Sequence, residues 1–271
     1  MNINGRLPQG ILLLGCGKMG SAMLQGWLAE GLEPNRIWVI EPKPSNWLKE
    51  TGVQLNKKFP VDINLVLIAV KPQVVKTALA QLIEFYNEGT IFLSVAAGVS
   101  LATYEGILGS SIPIVRAMPN TPAAIGEGIS ALIGNDAVNQ RSMTLCETLL
   151  SAIGQTIRLN NESHMDAVTG LSGSGPAYVF LMIDALTAAG CKQGLPEELA
   201  ALLAKATVAG AGSMAMQSKD TPEQLRKDVT SPNGTTQAGL KVLLDESSGL
   251  IPLITETVSR AVNRSKELSN G

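Results

Sequence analysis

Six residues, Gly15-Cys16-Gly17-Lys18-Met19-Gly20, constrain this 271-residue chain more than any others. They fit the pattern G-x-G-x-x-G, directly after the aliphatic run Ile11–Leu14 and directly before a helical segment that opens near Ser21. In that setting each glycine has its own reason. The first permits a tight turn, the second lets the backbone approach a pyrophosphate, and the third lets a helix pack closely on a strand. The phosphates then lie at the helix N-terminus. Leu14, Gly15, Cys16, Gly17, Lys18, Met19 and Gly20 are therefore expected to hold a dinucleotide.

The first 160 residues alternate short aliphatic runs with helical segments, as a parallel sheet with crossover helices requires. Strands are expected at residues 11–14, 37–40, 65–70, 90–95, 113–116, 129–133 and 156–159. Val74, Val75, Ala78, Leu79, Leu82 and Ile83 repeat at helical spacing and mark a crossover helix with one buried stripe. The layout is α/β, a doubly wound parallel sheet.

Past Asn160 and Asn161 the strand signals stop. Helices rich in Ala, Leu and Met are expected at residues 176–189, 196–217, 235–244 and 250–268, with Pro196 at a helix start. The chain thus divides into a dinucleotide-binding domain, 1–160, and an all-helical domain, 161–271. Residues 200–216 carry little charge on any face, and a helix apolar all round must be buried. So short a region cannot bury that much surface alone, which predicts an interface between subunits. A monomer with an Ala-rich core is the alternative. Gly210 and Gly212 are expected to permit close helix contact.

Open α/β sheets bind ligands at the carboxyl ends of their strands. Ala69-Val70-Lys71-Pro72, Val95-Ala96-Ala97 and Met118-Pro119-Asn120 fall at such ends and join the expected cofactor set, with Asn56. Prolines on either side of Asn120-Thr121 stiffen that loop and let it hold polar groups beside a nicotinamide. Glu41, 21 residues after Gly20, can hydrogen-bond a ribose 2′-hydroxyl and repel a 2′-phosphate. Lys43 and Ser45 can instead bind that phosphate if Glu41 points away. The choice between NADH and NADPH stays open.

Composition removes other classes. A net charge of −2 and a pI of about 5.6 leave no basic surface for nucleic acid. The apolar runs are far shorter than the roughly 18 residues that read as a membrane span, so no membrane partner is expected. The N-terminal segment lacks the apolar stretch of a signal peptide. Three separated cysteines and one histidine give no metal cluster and no disulfide framework, which suits a reduced, cytoplasmic compartment. His164, flanked by polar residues, reads as a surface residue.

Six segments together resemble one family, the Δ1-pyrroline-5-carboxylate reductases. They are GCGKMG at 15–20, AVKP at 69–72, AAGVS at 96–100, RAMPNTPA at 116–123, GLSGSGPAYVF at 170–180 and SPNGTTQAGL at 231–240. The resemblance implies a Rossmann-like domain followed by a helical dimerisation domain, assembled as a homodimer or a homodecamer. It implies reduction of the C=N bond of 1-pyrroline-5-carboxylate to L-proline by NADPH or NADH. It places the substrate at Ser231, Gly234, Thr235, Thr236 and Asn120, with the Thr236 hydroxyl at the ring nitrogen as the catalytic group. That segment would come from the partner subunit.

The family segment commonly reads SPGGTT, whereas this chain has Asn233, a residue that tolerates positive φ. Read physically, Pro232 and Asn233-Gly234 form a turn, and the amides of Gly234, Thr235 and Thr236 stand free at a helix start suited to an anion. A plain Thr cap is the other reading. An imine reductase for a related cyclic imine, and a β-hydroxyacid dehydrogenase-like enzyme, are the enzymatic alternatives. The second is disfavoured because no lysine lies between Gly170 and Ala189. A non-catalytic dinucleotide sensor would not need the 231–236 segment.

Overall fold

A computed structural model describes residues 5, 7–60, 62–80, 82 and 89–270. Ile83, the last position of the expected crossover-helix stripe, and most of the first six residues lie outside that range. Among the described residues there are two compact units. One contains the chain up to Gly173 and from Val262 onward, and the other is Ser174–Ala261.

In the first unit the glycine turn joins β1 (Ile11–Leu14) to α1 (Lys18–Ala29), followed by β2 (Ile37–Ile40), α2 (Asn46–Glu50) and β3 (Gln54–Leu55). Then come β4 (Leu65–Ile68), α3 (Pro72–Ala80), β5 (Ile91–Ser94), α4 (Leu101–Leu108), β6 (Ile114–Met118) and β7 (Gly128–Gly134). The unit continues with α5 (Gln140–Ser151), β8 (Gly154–Arg158) and α6 (Met165–Val168). The eight-stranded sheet has the order β3-β2-β1-β4-β5-β6-β7-β8.

Side chains alternate along each strand, so the two faces carry separate cores. Leu13, Met23, Trp27 and Leu149 pack on one face, where the Trp27 indole N–H donates to the Leu149 carbonyl at 2.9 Å. Leu12, Ile68, Val75, Phe92 and Tyr104 pack on the other. That is the doubly wound arrangement.

The sheet departs from all-parallel at one step, where β7 pairs antiparallel with β6. The connection, residues 119–127, holds two prolines and a short 3-10 segment, Thr121–Ile125. It is too short for the dozen or so residues that a parallel crossover needs. α5 then crosses over to bring β8 parallel to β7.

The expected strand ends hold to within two residues. Helix α1 begins at Lys18, with Gly17 as its N-cap, rather than near Ser21. The short elements β3, α2 and α4 carry too little periodicity to be foreseen.

The second compact unit begins at Ser174. Residues 162–173 are tied to the sheet instead. Glu162 accepts from Arg116 at 2.7 Å and from the Leu101 amide at 2.9 Å, and Met165 is buried.

The second unit contains α7 (Gly175–Lys192), α8 (Glu197–Gln217), α9 (Pro222–Asp228), α10 (Thr235–Leu243) and the start of α11 (Leu250–Asn270). Gly190 of α7 lies against α8, and a Cβ on it would stand 3.1 Å from the Ala200 Cβ. Within the single chain Gly190 is the close-contact glycine between these two helices. A Cβ at Gly210 or Gly212 meets nothing within 4 Å.

Residues Glu162–Lys192 and Glu197–Gln217, with mean hydropathies of 1.2 and 1.4 over their best windows, are long and apolar enough to cross a membrane. Counting unbroken apolar runs missed this, because scattered Gly, Ser and Thr interrupt the runs without making the helices polar. In α7 no residue is buried, and in α8 only Ala200 and Ala204 are. The single chain leaves these faces uncovered.

Candidate active site

The strands β2, β1, β4, β5 and β6 are mutually parallel, so their carboxyl ends share one edge of the sheet. The chain reverses its direction of strand addition between β1 and β4, and ligands bind at such a switch point. The two loops meet closely there. A Cβ on Gly15 would stand 2.8 Å from Val70 Cγ1 and 2.9 Å from the Ala69 carbonyl oxygen. Gly15 has φ +82°, the left-handed conformation that a side chain would strain.

Each glycine of the turn has a different surrounding. A Cβ on Gly20 would lie 2.5 Å from the Gly15 carbonyl oxygen, so the helix and the loop touch. A Cβ on Gly17 meets nothing within 4 Å. That open backbone, at the N-terminus of a 12-residue helix without a side-chain cap, fits a pyrophosphate.

The loop between them is braced. Ser21 Oγ donates to the Cys16 carbonyl at 2.9 Å, and the Cys16 amide donates to Glu41 Oε2 at 2.9 Å. Burial pushes the Cys16 thiol above its usual range; the Ser21 hydrogen bond opposes this and the Glu41 charge adds to it. The thiol therefore stays protonated at neutral pH. Lys18 is exposed and Met19 half-buried on the first helical turn.

Glu41 sits just past β2. Its Oε1 accepts from the Lys43 amide at 2.9 Å. Asn56 clasps the main chain of Glu41, its Oδ1 accepting from the Glu41 amide at 2.9 Å and its Nδ2 donating to the Glu41 carbonyl at 3.0 Å. Asn56 adopts φ +50° to do so. Its side chain thus holds Glu41 in place.

On the same edge, the Ala69 amide donates to the Leu14 carbonyl at 2.8 Å, Lys71 is exposed, and Pro72 opens α3. The Val95 amide donates to the Ile68 carbonyl at 3.0 Å, and Ala97 is exposed. Met118 and Pro119 end β6 and lead to Asn120. The Asn120 Oδ1 accepts from the Ile129 amide at 2.9 Å, and its Nδ2 donates to the Ser172 carbonyl at 3.1 Å. One N–H and one lone pair remain for any ligand.

The 231–236 segment belongs to the second unit. Asn233 has φ +59°, as its tolerance of that region predicts, and its amide donates to Gln237 Oε1 at 2.7 Å. Gly234 is the N-cap of α10, and a Cβ on it would lie 2.4 Å from Ser231 Oγ. Its amide is not free, because it donates to the Ser231 carbonyl at 3.1 Å and closes the turn. The amides of Thr235, Thr236 and Gln237 begin the helix without a side-chain cap, and both threonines are exposed. His164 is exposed. No group of three or more His, Cys, Asp or Glu residues suited to a metal occurs among the described residues.

Sequence reasoning overlooked Ser21, although its position opposite a loop carbonyl follows from an α-helix starting at Lys18 instead of Ser21. It also had no signal for the Asn56–Glu41 clasp.

Comparison with known proteins gives these geometries a context. Residues 10–98 match the family described as NADP oxidoreductase coenzyme F420-dependent. Residues 162–268 match that of pyrroline-5-carboxylate reductase dimerisation. A pyrroline-5-carboxylate reductase of Pseudomonas aeruginosa is 37% identical over 96% of each chain. The solved structure of a pyrroline-5-carboxylate reductase from Coxiella burnetii superposes with TM-score 0.89 at 37% identity, covering 96% of this chain and 98% of that one. A Plasmodium falciparum pyrroline carboxylate reductase with NADP bound gives 0.84 at 28%, over 96% and 98%. With a glycine turn at the switch point, an uncapped helix start after Gly234 and 37% identity over nearly its full length to such a reductase, the chain belongs to the pyrroline-5-carboxylate reductase family.

Proposed function

We propose that the protein reduces the C=N bond of 1-pyrroline-5-carboxylate to give L-proline, using NADH or NADPH. One observation carries the reading: a single chain of this family combines an open-backed Gly17 turn with the uncapped amides of Thr235, Thr236 and Gln237. When bound, the dinucleotide supplies the hydride. The protein's part is position and electrostatics.

The amides at the start of α10 bind the substrate carboxylate, because N-terminal amides and the helix dipole favour an anion. Ser231 and Gly234 shape the turn that presents them. The Thr236 hydroxyl hydrogen-bonds the ring nitrogen and keeps the adjacent carbon electrophilic. Gly15 to Gly20, Glu41, Lys43, the 69–72 and 95–97 loops and Met118 to Asn120 make up the dinucleotide site. Asn120 and Asn56 act there by holding backbone and Glu41 in place.

The protein works as a homodimer or a larger homo-oligomer in the cytoplasm, with residues 161–271 serving assembly and substrate binding. A second copy, rather than lipid, covers the apolar faces of α7 and α8. The match to a dimerisation family over 162–268 supports that occupant.

The decisive experiment follows oxidation of each reduced nucleotide by purified protein supplied with pyrroline-5-carboxylate. No turnover with either nucleotide removes the reductase reading. Thr236→Ala should lower kcat by roughly 10²-fold, the scale of losing one aligned donor, with nucleotide affinity unchanged. Unchanged kcat would remove the role given to Thr236.

A further inference from the structure

The carboxylate at the end of β2 is fixed from both sides. Glu41 Oε2 accepts from the Cys16 amide inside the glycine turn, and Oε1 accepts from the Lys43 amide, each at 2.9 Å. Asn56 clamps the Glu41 main chain. The negative charge is therefore held beside the dinucleotide turn, whereas a 2′-phosphate could be bound by its neighbours only with Glu41 pointing away. Each carboxylate oxygen keeps a second lone pair, enough to accept from the two ribose hydroxyls.

The rest of this loop has little to offer a phosphate. Pro42 and Pro44 have no N–H, and the amide between them, that of Lys43, already serves Glu41. Ser45 Oγ accepts from the Leu48 amide at 3.2 Å as the cap of the five-residue helix α2. Within residues 42–45 only the exposed Lys43 ammonium could face a group carrying close to two negative charges, and the Glu41 carboxylate opposes it.

We propose that Glu41 selects a dinucleotide with a free 2′-hydroxyl, so that this enzyme uses NADH in preference to NADPH. The proposal deepens the reductase reading and rests on it only for the substrate, since the selection is a property of binding. It sets this chain apart from the Plasmodium falciparum relative solved with NADP bound.

Equilibrium binding of NADH and NADPH to the full-length protein, followed by nicotinamide fluorescence, tests it without turnover. ADP-ribose and its 2′-phosphorylated form serve as competitors. NADH is expected to bind at least about tenfold more tightly, and ADP-ribose to compete better than its phosphorylated form. Glu41→Gln removes the charge and leaves one of the two amides without its acceptor, so the ratio of the two affinities should fall toward unity, chiefly through tighter NADPH binding.

Equal or tighter binding of NADPH by the unaltered protein overturns the proposal, whether or not the variant folds. So does an undiminished ratio in a folded Glu41→Gln protein. Binding of neither nucleotide removes the dinucleotide site along with the proposal. A protein that prefers NADH but leaves pyrroline-5-carboxylate unreduced keeps the proposal and loses the reductase reading.

Discussion

Gly20 packs so closely on Gly15 that a Cβ on Gly20 would stand 2.5 Å from the Gly15 carbonyl oxygen, whereas a Cβ on Gly17 meets nothing within 4 Å. The first contact is structural, and the second opening leaves room for the proposed pyrophosphate. Gly20→Ala should therefore destabilise the fold by about 1–3 kcal/mol, the scale of overpacking. Gly17→Ala should leave the denaturation midpoint nearly unchanged yet weaken nucleotide binding about tenfold or more, since the methyl occupies the pyrophosphate's approach. Equal effects of the two substitutions on stability would count against this division.

Arg116 is buried at 5% exposure, and Glu162 is its ion-pair partner at 2.7 Å. Removing one partner of a buried pair leaves an uncompensated charge. Glu162→Ala also strips the acceptor from the Leu101 amide. Because Glu162 is part exposed, the expected loss is about 2–3 kcal/mol, discounted from the roughly 3–5 kcal/mol of fully buried pairs. Urea denaturation at fixed protein concentration should show a lower midpoint with unchanged slope. A loss below about 0.5 kcal/mol would class the pair with surface ion pairs.

Asn233 at φ +59° separates backbone tolerance from side-chain chemistry. Asn233→Val puts a β-branched residue in the left-handed region and should cost about 1–2 kcal/mol while raising KM for the substrate. Asn233→Gly relieves the conformation and should stay within about 0.5 kcal/mol of the unaltered protein. Thermal unfolding and steady-state kinetics on both variants check this, and an Asn233→Val protein with native KM would show that the turn does not set substrate affinity.

Leu202 of α8 is 64% exposed in the single chain. Under the proposed assembly a second copy covers this face, so Leu202→Glu should bury a carboxylate at the contact and dissociate the oligomer. Light scattering at micromolar concentration should find an oligomer for the unaltered protein and a monomer for the variant. An unchanged mass for the variant would place Leu202 outside the interface.

Much of this was legible because it is local. Glycine spacing dictated the turn, β-branched and aliphatic runs set the strands to within two residues, and the Asn233-Gly234 pair announced its positive φ. The antiparallel return of β7 was also within reach, since residues 119–127 are too few for a parallel crossover. The exposed apolar helices were harder to see, because small polar residues break their runs without lowering their mean hydropathy.

The amino-acid sequence by itself determined that a nucleotide turn follows the first strand and that sheet gives way to helices. Only the tertiary structure decided which groups are free to act. The Gly234 amide closes on Ser231, and the Asn120 side chain is held by Ile129 and Ser172. Glu41 is fixed by Cys16, 25 residues before it, and by Asn56, 15 residues after it. Turn and strand chemistry depend on φ, ψ and side-chain period over a few residues. The direction in which a carboxylate points depends on donors that folding brings in from distant parts of the chain.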